Sequence, residues 1–360
     1  MKTLFAVCVV LLFCTVTISH ASKQATTVYN ETVFTEDVTW RGSILVKGFV
    51  VVAPHATLRI EPGTVVRFAA AAAQQLPNLV VQGRIHAAGI SDRPILMTSE
   101  RLNPPSGAWG GLVLLSTEKR NLLEHCNIEY AETGIDMRFS KLTLKSVTIT
   151  QAKTALLSHD GVLQLTDCNV SDSEIGLDVH NSEFDGKDTT ISSCRFGSVF
   201  SKSGVVLASL KILNNQQTGF AADDCRIKIT DGEFNGNALG ARINDSEGQI
   251  IMSRFQKNRQ IALHLSGSRI KIQRCLLAEN SQDALRTEDG LALILNNAFT
   301  NNGGYNLYNA GLEAVGARQN WWGGVDQSRA DQKIYDHAVD NHVGTVDIYP
   351  WLNDRPLLVP

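Results

Sequence analysis

The sequence predicts an all-β, single-domain parallel β-solenoid of about a dozen coils, closed by a C-terminal capping segment. The first observation is an apolar column, Ile128, Ile149, Val170, Ile191, Ile212, Phe234, Phe255, Leu277, Phe299 and Trp321, with steps of 21 or 22 residues. The second is that two more columns keep this register. One is apolar and runs Leu123, Leu144, Leu165, Gly186, Leu207, Ile229, Ile250, Ile272, Ile294; the other is small and runs Gly134, Ala155, Gly176, Gly197, Gly219, Gly240, Ala262, Ala284. The third is local alternation of apolar and polar residues, as in Leu142-Thr143-Leu144 and Gly176-Leu177-Asp178-Val179. That is the period of a strand, not a helix. Helical repeats need longer units, and a leucine-rich repeat has its own Leu/Asn pattern.

The elements follow in chain order. Lys2, the apolar stretch Leu4 to Val16 and the small-x-small site Ser19-His20-Ala21 predict a Sec-type signal peptide over 1–21. Export follows, to the periplasm or outside the cell. The apolar stretch is too short to span a bilayer, and no later stretch approaches that length, so no membrane span is expected. A lead-in at 22–39 precedes the solenoid proper at 40–322, with regular coils from about 122. The opening coils are less regular. Their strands read in Ala56 to Phe68, Leu79 to Gly83, Pro94 to Ser99 and Trp109 to Leu112, with loops at Ala69 to Gln75 and Arg101 to Gly107. Residues 323–360 form the cap, because a bare solenoid end is an exposed strand edge.

A further column sits three residues after the Ile/Phe column. It becomes Asn215, Asn237, Asn258, Asn280 and Asn302 in the later coils. Stacked asparagines predict a ladder of side-chain amides at one turn, and Asn tolerates the left-handed conformation that such a turn needs. Of the seven cysteines, Cys8 and Cys14 fall in the signal segment. The remaining Cys126, Cys168, Cys194, Cys225 and Cys275 never occupy one column in neighbouring coils, so no disulfide is expected.

Composition narrows the function. Apolar residues are 43% of the 360, ample for a core, and the formal net charge of −3 gives no basic nucleic-acid footprint. The unit Leu163-x-Leu165-x-x-Cys168-x-Val170-x-x-Ser173-x-x-Gly176-Leu177-x-Val179 resembles the coil of the right-handed parallel β-helix superfamily that includes pectate lyases and polygalacturonases. The opening phrases and the tail from Asn320-Trp321-Trp322-Gly323 to Trp351 resemble exported bacterial β-helix proteins, a family mostly without assigned activity. The resemblance implies a right-handed solenoid and a sugar-binding sheet face.

Alternation from the small column places two outward columns on the strand that follows it. One runs Asp136, Leu157, Asp178, Val199, Ala221, Arg242, His264, Arg286, Tyr308; the other runs Arg138, His159, His180, Ser201, Asp223, Asn244, Ser266, Glu288. Asp136, Asp178 and Asp223 are the candidate catalytic carboxylates. Arg138, His159, His180, Arg242, His264 and Arg286 are the candidate substrate contacts. Asp136 and Asp178 lie two coils apart, about 9.6 Å between backbones, near the upper end of the carboxyl separation of inverting glycosidases. Arg242-Ile243-Asn244 is similar to the polygalacturonase Arg-Ile-Lys, with Asn for Lys, and Asp223-Asp224 stands where that family pairs aspartates; its Asn-Thr-Asp motif is missing.

His159, His180 and Asp178 are metal-ligand types, but two exposed histidines that happen to stack are the preferred reading, and no metal or cofactor is assigned. Asp231-Gly232-Glu233 opens like an EF-hand loop, yet Arg242 stands where the bidentate Glu belongs. Trp321, Trp322 and Trp351 read as packing of the cap. The leading expectation is a monomeric exported protein that binds a polysaccharide or cell-envelope glycan along this face without catalysis. The alternative is a carbohydrate-active enzyme, a glycoside hydrolase, lyase or epimerase, using the aspartates of the same face.

Overall fold

The computed structural model describes residues 25–70, 75–116 and 119–357. The signal peptide expected at 1–21 and part of the loop expected at Ala69 to Gln75 lie outside the described residues. Every coil contributes three strands, and each strand pairs in parallel with its equivalent one coil later. Arg120–Glu124, Cys126–Glu129 and Ala131–Arg138 make one coil, and lie against Lys141–Lys145, Thr148–Thr150 and Thr154–His159 of the next. We call the faces built from these three strands the first, second and third. The only helix among the described residues is Gln327–Asp331.

Hydrogen bonding joins the first-face strands into a sheet of 14 and all of the others into a sheet of 25. The larger sheet wraps two faces because the long strand Ser43–Val52 runs through the bend, pairing with Val65–Phe68 and with Asn78–Val81. Pairing reaches beyond the segment 40–322. Thr26–Phe34 already pairs with Ser43–Val52, and Val346–Asp347 still pairs with Val315–Gly316.

The three columns are rungs. Ile128 pairs with Ile149, Leu123 with Leu144, and the Ile135–Leu156 pair sets Gly134 beside Ala155. All of these side chains are buried, and they form one core along the rod. A Cβ on Gly176 would come within 2.3 Å of the Gly197 carbonyl oxygen, so this column has to be small. The Ile/Phe column stacks aromatics where it can: Phe234 and Phe255 lie 4.4 Å apart at 3°. That column continues into Trp322, not Trp321. Trp321 bridges to Ala298, so Trp322 stacks on Phe299 at 4.7 Å. Trp321 instead packs outside the coil against Leu276 and Ala298. Ala330, Ile334 and Ile348 are buried over the last coil, as a cap requires.

The turns are single residues in the left-handed region, each followed by an inward-pointing rung that is polar in the later coils of the second turn and mostly serine at the third. At the second turn the left-handed residues are Asn214, Gly236, Lys257, Glu279 and Asn301. The expectation that the stacked asparagines themselves adopt that conformation is therefore corrected: each follows the left-handed residue and points inward. The ladder is real. Asn237, Asn258 and Asn280 donate Nδ2 to the next Oδ1 at 3.3, 2.9 and 2.9 Å, and each Oδ1 also accepts the backbone N–H of the previous rung. Serines do the same work at the third turn, where Ser182, Ser246 and Ser268 accept backbone N–H groups at 2.9–3.1 Å. All five described cysteines are free and buried. Burial pushes Cys126 and Cys275 up to about 12, and Cys168 and Cys194 to about 11.

Candidate functional site

The third face presents the two outward columns in the order the alternation gives. Asp136, Leu157, Asp178, Val199, Ala221, Arg242, His264, Arg286 and Tyr308 are successive rung partners. So are Arg138, His159, His180, Ser201, Asp223, Asn244, Ser266 and Glu288. The nine candidate residues therefore share one face, spread along the rod rather than gathered in one cleft.

Its early end is compensated within single strands, because residues two apart in a strand project to the same side. Arg138 grips Asp136 with two hydrogen bonds, 3.1 and 2.8 Å. The Nε2 of His180 lies 2.8 Å from Asp178 Oδ1. His159 stacks on His180 with ring centroids 4.8 Å apart. The Asp136 and Asp178 carboxylates are thus each engaged by a neighbour on their own strand, and no contact joins the two. Among the described residues no group of three or more His, Cys, Asp or Glu is placed to hold a metal ion.

The late end is cationic and aromatic. Arg242 is exposed, and the Arg286 guanidinium lies 4.4 Å over the Tyr308 ring. Tyr308 stacks on Tyr335 at 4.0 Å and 2°. His264 sits between the two arginines. Burial, Arg286 and Arg242 hold its pKa below the usual histidine value, against the pull of Glu288. Its Nε2 is 3.7 Å from Glu288, too long for a hydrogen bond, and is buried without one. Asp223 is exposed at the end of its strand, and Asp224 is the left-handed turn residue after it.

Two features escaped the sequence reading. Tyr335 extends the first outward column from inside the cap, through Tyr308. A groove of about 1350 Å³ follows the third turn beside this face. Small rungs, Gly161, Ser182, Ser203 and Ser246, make its floor; Asp160, Lys202 and Asp224 rise on one side, Glu183, Arg226 and Glu247 on the other. A small residue recurring at this turn every 21 or 22 residues was the available signal.

The family models agree on the fold. Residues 32–136 match the family model described as a pectate-lyase like beta helix domain, and residues 133–253 the one described as a right handed beta helix region. No curated protein matches. Among solved structures, a periplasmic alginate epimerase is 11% identical, with 90% of this chain and 76% of that one covered and a TM-score of 0.42. The A-module of an Azotobacter vinelandii mannuronan C-5 epimerase is 9% identical, over 94% and 92% of the two chains, with a TM-score of 0.36. An alpha-1,3-glucanase from Streptomyces thermodiastaticus is 11% identical, over 74% and 60%, with a TM-score of 0.31. At such identities the site has to be read from its own residues.

Proposed function

The chain is a right-handed parallel β-helix protein of the pectate-lyase-like kind, and from that premise we propose that it is an exported protein that binds a polysaccharide along the outward third face. One observation carries the reading: Arg242, His264, Arg286, Tyr308 and Tyr335 occupy consecutive rungs of a single column. Rungs repeat at about 4.8 Å, a spacing that lets an extended sugar chain meet one side chain after another. Arginines donate to hydroxyls or carboxylates, and tyrosine rings offer apolar surface beside a polar tip. Binding without turnover is favoured because Asp136 is neutralised by Arg138 on its own strand.

A carbohydrate-active enzyme is the second reading. It is favoured by the 2.8 Å contact between Asp178 and His180, in which a carboxylate orients an imidazole as general acid–base chemistry requires. A polysaccharide panel scored for both retention and released or altered sugar separates the two. We expect retention without product, weakened at least ~10-fold, about 1.4 kcal/mol, in Arg242→Ala/Arg286→Ala. Unchanged retention in that variant removes the site. Product that disappears in Asp178→Ala establishes the second reading.

A further inference from the structure

The first face carries a different chemistry. Its outward column holds Arg84, Arg120 and Lys141 on consecutive rungs: Arg120 pairs with Lys141, and the register Leu122–His86 sets Arg120 beside Arg84. Like charges on neighbouring rungs repel and are normally offset. Opposite charges meet across rungs in other places on the rod, as in Arg195–Glu174 at 2.9 Å and Lys153–Glu132 at 2.7 Å. Among the described residues no ion pair involves Arg84, Arg120, Lys141 or Lys145.

Arg84, Arg120, Lys145 and Lys187 border a hollow of about 440 Å³ together with Thr143 and a single carboxylate, Asp185. Inside it, Arg84 Nε and Thr143 Oγ1 are buried without a hydrogen-bond partner. A buried unpaired donor costs about 1–3 kcal/mol. An excess of cations around buried polar atoms without partners favours an anion.

We propose that this hollow is a second binding site, for the oxyanion groups of an acidic polysaccharide. From Arg84 to Lys187 the cations follow the rod axis for four rungs, about 19 Å, which suits a linear chain with recurring charges. The cations border a recess, which a narrow chain enters and a flat membrane surface does not. The inference is independent of the third-face reading.

The test measures binding of polygalacturonate, dextran sulfate and neutral dextran at low and moderate salt. We expect both polyanions to bind and to weaken with salt, as screened charges do. Arg84→Gln/Arg120→Gln should lower that binding at least ~10-fold and leave the third-face retention unchanged. If that variant does not fold, Lys145→Gln/Lys187→Gln makes the same test. A control, Lys211→Gln/Lys257→Gln, removes equal charge from the second face and the turn after it and should change binding less than ~2-fold. The inference is overturned if the first-face variants bind like the parent chain, or if the control loses as much. It is overturned equally if only Arg242→Ala/Arg286→Ala loses polyanion, or if phosphatidylglycerol vesicles bind and polygalacturonate does not.

Discussion

In the later coils the second and third turns face the same problem: a backbone N–H at a sharp bend, buried, with no strand partner. There the second turn answers with asparagine, whose amide fills the corner and reaches both the next amide and a carbonyl. Asn258 donates Nδ2 to the Phe234 carbonyl at 3.0 Å and to Asn280 Oδ1 at 2.9 Å. The third turn answers with serine, which satisfies the N–H and leaves the corner hollow. Ser246 accepts from Cys225 N–H at 2.9 Å and donates to the Asn244 carbonyl at 2.6 Å. The difference teaches where this rod is strong and where it is recessed. The groove follows the serine turn because serine and glycine are too small to fill it.

If asparagine is the stronger device, removing one should cost most. Asn258→Ala strands the Asn237 N–H and the Phe234 carbonyl, and takes one of two partners from the Asn237 amide and from Asn280 Oδ1. We expect a loss of about 3 kcal/mol, at about 1–3 kcal/mol for each unsatisfied buried group, read by denaturant unfolding. Ser246→Ala strands only the Cys225 N–H, since the Asn244 carbonyl still accepts the Asp224 N–H, so its loss should be about half that, ~1.5 kcal/mol. Equal losses would end the distinction between the turns.

The strand that joins the two turns supplies the smallest effect. His264 has its pKa lowered in the fold by burial and by Arg286 and Arg242. The unfolded chain therefore binds a proton that the fold refuses once pH drops below the ordinary value near 6.5. Stability is unaffected by His264 above that pH and declines as pH falls below it. His264→Gln should flatten this part of the pH profile of the unfolding midpoint; an unchanged slope would mean that the ring is protonated in the fold.

Much of this was legible because the repeat is strict. Three columns in register fixed the parallel pairing, the inward faces and both outward columns of the third face. The slip at Trp321 has a plain cause: the first-turn step from Asn297 to Asn320 is 23 residues, one more than the period, so Trp322 arrives where counting places Trp321. Backbone conformation was not legible, since a column at constant spacing does not say which of two adjacent residues turns left-handed. The Arg138–Asp136 clasp was hidden too, because it depends on side-chain rotamers within one strand. The first-face cations were obscured by the opening coils, where 36 residues separate Ile85 from Asn121, its ladder partner.

Every strand from Arg120–Glu124 to Leu276–Ala278 pairs with a partner 21 or 22 residues further on. The sequence distance between partners therefore stays fixed however many coils are added. In a globular sheet protein, long-range pairings multiply with size and slow assembly. Here a finished coil is a template, and the next can settle on it as soon as one more repeat of chain is free. Assembly can thus advance from one end, each step closing a loop of nearly constant length. A rod of this kind grows like a crystal along one axis: its length is set by the supply of repeats, and its assembly time scales with their number rather than with a power of it.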